Sequence, residues 1–342
     1  MAARLYLDHA ATTPLLPQAR EAMARAFVIW ANPSSPHAEG RAARAALEEA
    51  RMRVKAALGW QGELVFTSGA SEALAIALTR CRLPLAAVSA VEHEAVLRLA
   101  GNAARLPVRE GLVRADDAAL PGLVAVQHVN NETGVIQPVS ALAAAVREAG
   151  GLLLADCAQS AGKIALPDAD LIALSAHKFG GPIGIGALLM RDWAMLAPTG
   201  GQERGYRPGT ENLPGAMAMA AALEAGEAWM SEAARLRRML DDAIAGAGGK
   251  VVACLADRIA TISSYRMPGR SAAAQLIRFD AMGIAVSAGS ACSSGSLKAS
   301  HVLTAMGVEG ASEVIRVSIG RETDEADIEQ FITAWKDIAG QT

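Results

Sequence analysis

The chain has 342 residues, of which 52% are hydrophobic and 4% are aromatic, and its formal net charge is −3. This length allows two domains, or one large α/β domain with an appendage. Mixed charges of both signs give no electrostatic case for binding nucleic acid or an anionic membrane. No apolar run reaches the roughly 18 residues of a membrane span, and the amino terminus lacks the long apolar core of a signal peptide.

The number and spacing of the cysteines indicate the redox compartment and whether a metal site is expected. Cys81, Cys157, Cys254 and Cys292 lie far apart and form no C-x-x-C pair. We therefore expect no zinc or other metal site, no disulfide framework, and a reducing, cytoplasmic location.

The first 60 residues predict a short strand and two helices. Residues 6–14 form a strand that runs into a turn, residues 17–28 are a helix candidate, and residues 32–37 form a rigid polar loop. Strong helix formers fill residues 38–58, and Gly59 provides a C-terminal stop.

A repeated pattern of short apolar runs follows, each succeeded by polar residues and most by a helical stretch. The runs are residues 64–66, 86–89, 123–127, 152–155 and 170–174. Short, continuously apolar strands that alternate with helices predict a mostly parallel sheet covered on both faces.

Polar side chains follow the carboxyl end of each predicted strand. They are Thr67 to Ser71, His93, Asn131, Asp156, Gln159 and Lys178. Parallel α/β sheets bind ligands along this edge, so we expect these residues to converge. The Ser-Gly-Ala-Ser turn that caps a helix at residues 72–80 presents amides and hydroxyls suited to a phosphate.

Lys178 lies just beyond the last of these strands and is followed by a glycine-rich turn. Apolar surroundings disfavour the ammonium form of a lysine, which frees the amine to condense with a carbonyl. The glycines follow the lysine, so this segment has neither the P-loop nor the Rossmann fingerprint. Taken alone, it equally allows a surface lysine on a glycine-rich loop.

The rest of the chain predicts a loop, a long helix and a smaller α+β unit. Residues 198–210 form a glycine-rich loop, and a helix at residues 214–246 ends at the glycine cluster 246–249. Strands at 251–253, 259–264, 283–288 and 314–319 and a helix at 271–282 follow. We therefore expect a large domain at residues 14–249 and a small domain formed by residues 1–13 and 250–342.

These motifs together resemble those of the cysteine desulfurases, pyridoxal-phosphate (PLP) enzymes of fold type I in the class V aminotransferase group. The matching motifs are Tyr-Leu-Asp-x-Ala-Ala-Thr-Thr-Pro, Asn-Pro-Ser-Ser-x-His, Thr-Ser-Gly-Ala-Ser-Glu, Asn-Asn-Glu-Thr-Gly, Asp-x-Ala-Gln-Ser, Ser-x-His-Lys, Gly-Gly-Gln-Glu-x-Gly-x-Arg-x-Gly-Thr, Gly-Ser-Ala-Cys and Ile-Arg-Val-Ser-Ile-Gly-Arg. The full set in family order is highly specific. The resemblance implies an α/β fold, with a large domain built on a mostly parallel sheet and a smaller α+β domain.

The resemblance also implies a role for each residue at the sheet edge. Lys178 would hold the PLP aldehyde as a Schiff base and carry protons, and Asp156 would pair with the pyridinium nitrogen. The remaining cofactor residues would be His93 against the ring, Gln159 and Asn131 at the ring hydroxyl, and Ala70, Ser71, Ser175 and His177 at the phosphate. Thr210 would reach the phosphate of the neighbouring subunit, which implies a homodimer. His93 has an alternative interpretation as a helix-start histidine bonded to backbone.

Two residues would act on the substrate. Cys292 lies among small residues in what the composition predicts to be an exposed loop, and its thiolate would take sulfur from PLP-bound cysteine as a persulfide, leaving alanine. Arg316, on a predicted strand, would clamp the substrate carboxylate with Asn131 nearby. An ordinary structural ion pair is its alternative. Cys81, Cys157 and Cys254 are expected to be packing residues.

The leading hypothesis is a desulfurase that supplies sulfur for iron–sulfur clusters or thiolation, with a protein as sulfur acceptor. A selenocysteine lyase could use the same fold and thiol, whereas a transaminase has no need of a nucleophilic cysteine. A non-catalytic binding subunit would have no reason to keep Lys178, Asp156, His93 and Cys292 together. Longer family members dock a scaffold protein through a carboxyl-terminal extension, and this chain stops soon after the helix that follows Arg321.

Overall fold

The structure is a computed structural model that describes residues 4–289 and 300–340, so Cys292 lies outside the described residues. The strands are β1 Leu5–Tyr6, β2 Glu63–Thr67, β3 Leu85–Ser89, β4 Ala104–Leu106, β5 Leu123–Gln127, β6 Leu152–Asp156, β7 Leu171–Ser175, β8 Gly186–Met190, β9 Lys250–Val251, β10 Ile262–Arg266, β11 Ile284–Ala285 and β12 Val314–Ser318. The α-helices are α1 Pro17–Ala26, α2 Ala38–Ala57, α3 Ala70–Arg80, α4 Glu94–Leu97, α5 Ala115–Ala118, α6 Val139–Glu148, α7 Leu213–Glu224, α8 Met230–Gly246, α9 Ala272–Ala281, α10 His301–Ala305 and α11 Glu325–Gly340. None of the helices in these two ranges is long and apolar enough to cross a membrane.

The large sheet has seven strands in the order β2-β8-β7-β6-β5-β3-β4. The strands from β7 to β4 pair in parallel, which confirms the predicted mostly parallel α/β sheet. Strand β8 runs antiparallel to both β7 and β2. Residues 176–185 separate β7 from β8, which is fewer than the dozen or so that a parallel crossover needs, so the chain turns back directly.

Alternate residues of the central strands supply the two faces of this sheet. Val124 and Val126 of β5 pack with α2, α6 and α7 in one apolar cluster. Leu123 and Ala125 of the same strand pack with α3 on the opposite face. Burial on both faces explains why the strands are continuously apolar in sequence.

The smaller unit has its own core. Its antiparallel sheet has the order β12-β10-β9, and β1 pairs in parallel with β11. Phe279, Phe331 and Trp335 are buried at its centre, together with Leu5 and Leu7 from the amino terminus.

The single helix predicted at residues 214–246 is wrong, because the structure has two helices there. Gly226, with φ +69°, separates α7 from α8. The buried residues of α7 belong to the core of the large sheet, whereas Leu236, Leu240 and Ile244 of α8 pack in the small-unit core. Strong helix formers lie on both sides of the break, and Gly226, a poor helix former, is its only sign in the sequence. We propose that the domain boundary lies at Gly226 rather than at residue 249.

Candidate active site

A cavity of about 420 Å³ opens at the carboxyl edge of the large sheet. Ten predicted site residues line it: Ala70, Ser71, His93, Asn131, Asp156, Gln159, Ser175, His177, Lys178 and Arg316. Gly289, the last described residue before the segment with Cys292, also lines the cavity. Thr210 does not line it and is exposed on this chain.

Lys178 ends a 3-10 turn, Ala176–Lys178, directly after β7. Its Nζ donates hydrogen bonds to the carbonyl oxygens of Ala10 and Ala11 at 2.7 and 2.8 Å. Burial lowers the pKa of Lys178 to about 8, and the Arg316 charge acts in the same direction. The side chain is therefore held by neutral carbonyl groups, and roughly a tenth of the amine is unprotonated at pH 7.

Close backbone packing requires glycine at position 186, where the chain after Lys178 returns to the sheet. A Cβ on Gly186 would lie 2.4 Å from the Leu174 carbonyl oxygen and 2.6 Å from Cα of Gly69. Because Gly69 immediately precedes α3, this contact sets the start of α3 against the end of β7. Any larger residue at position 186 would push the turn at Gly69, which begins α3, away from β7, the strand that precedes Lys178.

Asp156 is the last residue of β6, and His93 follows β3, which β5 separates from β6 in the sheet. Burial raises the pKa of the Asp156 carboxyl, while the Ala158 N–H, His93 and Lys178 act in the opposite direction. His93 precedes α4, and its Nδ1 accepts a hydrogen bond from the Ala95 N–H at 3.1 Å. The proton of the neutral ring is therefore on Nε2. Burial also lowers the pKa of His93. The residue is thus both a helix-start cap and a cavity wall.

The start of α3 forms one end of the cavity. Gly69 has φ +156°, and the first amides of the helix have no intrahelical acceptor. The Ser175 hydroxyl lies beside Gly69, and Nδ1 of His177 is 3.2 Å from Oγ1 of Thr12. Burial lowers the pKa of His177 to about 4, and the positive charges of Lys178 and Lys163 contribute smaller effects in the same direction. Helix amides, hydroxyls and the nearby Lys178 make this end suitable for an anion.

Arg316 forms the structural contacts that its alternative interpretation predicted. Its side chain donates to Oδ1 of Asp8 at 2.8 Å and to the Asn131 carbonyl at 2.9 Å. Arg316 is only 6% exposed, and its Nε has no hydrogen-bond partner within residues 4–289 and 300–340. Since a guanidinium has five N–H donors, these bonds fix its orientation and leave donors for a ligand in the cavity.

Lys163 and His9 are buried residues that the sequence interpretation missed. Lys163 is 4% exposed and forms no ion pair within the described ranges. Together with His9 and Lys178, it lines a second cavity of about 10 Å³. Among the described residues, Lys178 lines both this cavity and the large one. Burial lowers the pKa of Lys163 to about 7. Nothing in the local sequence distinguishes Lys163 from a surface lysine.

The remaining cysteines differ from one another. Cys157 is fully buried beside Asp156, and burial raises the pKa of its thiol. Cys81 is partly buried and packs against the α3 side of the sheet. The packing interpretation is wrong for Cys254, which is exposed in the turn after β9.

Comparison with known proteins gives the class first. The aminotransferase class-V family matches residues 5–331, and the chain belongs to this family of enzymes. Among its relatives, a cysteine desulfurase of Cereibacter sphaeroides is 37% identical, over 99% of this chain and 96% of its own.

Solved structures agree with this relationship. A NifS-like protein from Rickettsia africae ESF-5 has a TM-score of 0.89 and 28% identity, with coverage of 98% of this chain and 99% of its own. A structure described as SspA in complex with cysteine has a TM-score of 0.78 and 29% identity, covering 92% of this chain and 98% of its own.

Proposed function

We propose that this enzyme is a PLP-dependent cysteine desulfurase that converts L-cysteine to L-alanine and transfers the sulfur to Cys292 as a persulfide. The observation that carries the proposal is the buried Lys178, with its lowered pKa, in one cavity with Asp156 and the amino-terminal end of α3. Relatives named cysteine desulfurases match over nearly the full chain, which favours this activity over others in the family.

The residues of the cavity fit PLP. A phosphate suits the amides of Ala70 and Ser71 with the hydroxyl of Ser175, and a pyridinium nitrogen suits the buried carboxyl of Asp156. Oε1 of Gln159 is a buried acceptor with no partner in the part of the chain described, so a donor from a bound group would satisfy it. When bound, PLP supplies an electron sink for bond cleavage at the substrate's α-carbon.

The chain's own residues would position the substrate and move protons. Lys178, with its pKa near 8, can exchange a proton at Nζ under physiological conditions. Nε2 of His93 is the ring nitrogen that the helix cap leaves available. The guanidinium of Arg316, held by Asp8 and by the Asn131 carbonyl, would orient the substrate carboxylate. Cys292 would receive the sulfur atom.

A selenocysteine lyase is the second candidate function, because the same cavity would accept either substrate. Comparing alanine production from cysteine and from selenocysteine separates the two. We place the desulfurase in the cytoplasm, with an iron–sulfur scaffold or a thiolation protein as the class of sulfur acceptor.

We also propose a homodimer in which Thr210 completes the partner's phosphate site. The loop before Thr210 is tied to its own chain, because Arg207 pairs with Glu72 in the first turn of α3 at 3.1 Å. Thr210 itself is exposed and outside the cavity of its own chain. The exposed Thr210 hydroxyl, three residues after this ion pair, is available to a second subunit.

Subunit exchange tests the shared site. Lys178→Ala and Thr210→Ala should each be strongly impaired, and mixing them should restore part of the activity, because a heterodimer contains one site with both residues. A fully active Thr210→Ala protein, or no recovery after demonstrated exchange, would contradict the shared site.

The cofactor assignment has its own test. Borohydride treatment of the PLP-loaded protein should add the reduced cofactor to the peptide containing Lys178, and Lys178→Ala should lose this modification while remaining folded. Modification of a different lysine would overturn the assignment. Lys163 is the internal comparison, since it is also buried with a lowered pKa.

A further inference from the structure

One carboxylate contacts both ends of the segment that carries Cys292. Glu132 is 3% exposed, and its Oε2 accepts a hydrogen bond from the Ser300 hydroxyl at 2.5 Å. At the other end, a Cβ on Gly289 would lie 1.9 Å from the same Oε2 atom, so the Gly289 backbone packs directly against the carboxylate. Gly289, just before the segment, and Ser300, just after it, therefore both contact Oε2 of Glu132.

The position of Glu132 is itself fixed by backbone bonds. Its N–H donates to Oδ1 of Asn130 at 2.9 Å, and its carbonyl accepts from the Ser264 hydroxyl at 2.7 Å. Because Ser264 lies on β10, these bonds join the loop after β5 to the antiparallel sheet of the smaller unit. The backbone of Glu132 is thus hydrogen-bonded both within the loop after β5 and to the small-unit sheet, which fixes the position of its carboxylate.

The contact at Ser300 is reinforced by its neighbours. The Ser300 hydroxyl also accepts from the Leu303 N–H at 3.1 Å and caps α10. Nε2 of His301 is 2.9 Å from the carbonyl oxygen of Glu92, the residue before His93. The chain that leaves the segment is therefore bound to two loops, one with Asn131 and one with His93, that line the active-site cavity.

We propose that Glu132 is a positioning residue that fixes both ends of the Cys292 segment relative to the cavity. The proposal rests on the proposed function, in which Cys292 must reach the substrate sulfur. Glutamate suits the task because its oxygen accepts the Ser300 hydrogen bond, and glycine at 289 suits it because any side chain would displace that oxygen. The adjacent Asn131 carbonyl holds Arg316, so the same loop would set both the substrate clamp and the thiol segment.

Thiol alkylation of the PLP-loaded protein tests the proposal without turnover. The variants are Glu132→Ala, Ser300→Ala and Gly289→Ala, which remove the carboxylate, remove its donor, or insert a methyl group against it. Iodoacetamide modification of Cys292 is followed peptide by peptide, with the exposed Cys254 as internal reference. Each variant should raise the ratio of the Cys292 alkylation rate to the Cys254 alkylation rate by at least about threefold, because a contact worth roughly one hydrogen bond is lost.

Loss of a helix cap is separated from loss of the Glu132 contact by Glu132→Ala, which leaves the Ser300 cap of α10 in place. Ser271→Ala, which removes the cap of α9, is the control for cap loss elsewhere and should leave the ratio unchanged. Glu132→Gln keeps an acceptor for Ser300 and should restore a ratio close to that of the wild type. Glu132→Ala combined with Ser300→Ala should add little to Ser300→Ala alone, because the serine variant already removes the contact with Glu132.

Steady-state kinetics supply a second readout. We expect kcat for sulfide release to fall about tenfold in Glu132→Ala, with little change in KM for cysteine, because the segment acts after the substrate is bound. Unchanged alkylation ratios in folded Ser300→Ala and Gly289→Ala proteins would overturn the proposal, even if Glu132→Ala failed to fold. Failure of the desulfurase assignment would instead show as no alanine formation from cysteine by the PLP-loaded wild type, whatever the alkylation ratios.

Discussion

Replacing the buried Lys163 by methionine should make the protein more stable near neutral pH. Lys163 is 4% exposed and faces Lys178, His9 and Arg321 around the small cavity, with Arg316 and His177 also near enough to interact electrostatically. Methionine has a similar length and carries no charge, so it can occupy the same space without the cost of burying an ammonium group.

The size of the effect follows from the pKa of Lys163. A tenfold change in an equilibrium corresponds to about 1.4 kcal/mol, so a pKa moved from 10.5 to about 7 costs about 4 kcal/mol at pH 7. The unfolded chain binds more protons than the folded chain between these two values, so stability of the wild type rises with pH across this window. The gain from Lys163→Met should therefore be largest at pH 7 and disappear toward pH 10.

The assay is urea unfolding at fixed protein concentration between pH 7 and pH 10. Lys178, with its pKa lowered to about 8, adds a rise of the same sign in both proteins when the cofactor is absent. Lys336→Met, at an exposed position of α11, is the control and should follow the wild-type curve. Parallel curves for wild type and Lys163→Met, or a less stable variant at pH 7, would refute the reasoning.

Two further predictions concern charged pairs. Arg316→Ala should raise the KM for cysteine by the equivalent of about 2–4 kcal/mol, because a charge-assisted clamp is lost, and an unchanged KM in initial-rate assays would leave Arg316 with a structural role alone. Glu203→Gln should lower the free energy of unfolding by about 3 kcal/mol, because the guanidinium of Arg51 loses its buried ion pair at 2.8 Å. Glu232→Gln, which breaks an exposed pair with Arg235, should change the free energy of unfolding far less than Glu203→Gln does, and equal effects of the two variants in the urea assay would contradict this difference.

The sequence was informative where a rule links local pattern to position. Parallel strands place their carboxyl ends at one edge, so Lys178, Asp156 and His93 could be expected together before any coordinates were known. The direction of β8 could not be read from its composition, because a buried antiparallel strand is as continuously apolar as a buried parallel one. The connection length of residues 176–185 carried that information instead.

Other features depend on tertiary contacts that have no local signature. The helices on the two sides of Gly226 belong to different cores, and the packing of Leu236 and Ile244 assigns α8 to the core of the smaller unit. Lys163 looks like an ordinary surface lysine in sequence, yet it is buried behind Lys178. The shared contact of Gly289 and Ser300 with Glu132 joins residues that are more than a hundred positions apart in the chain.

The most direct test of the proposed desulfurase is a single-turnover reaction of the PLP-loaded protein with L-cysteine in the absence of reductant. Alanine is quantified, and the peptide containing Cys292 is weighed by mass spectrometry. The account predicts one alanine per active site and a mass increase of one sulfur atom on the Cys292 peptide, with no such increase on the Cys254 peptide and no sulfur transfer in Cys292→Ser. Alanine formation by Cys292→Ser at the wild-type rate, or a persulfide on another cysteine, would contradict it.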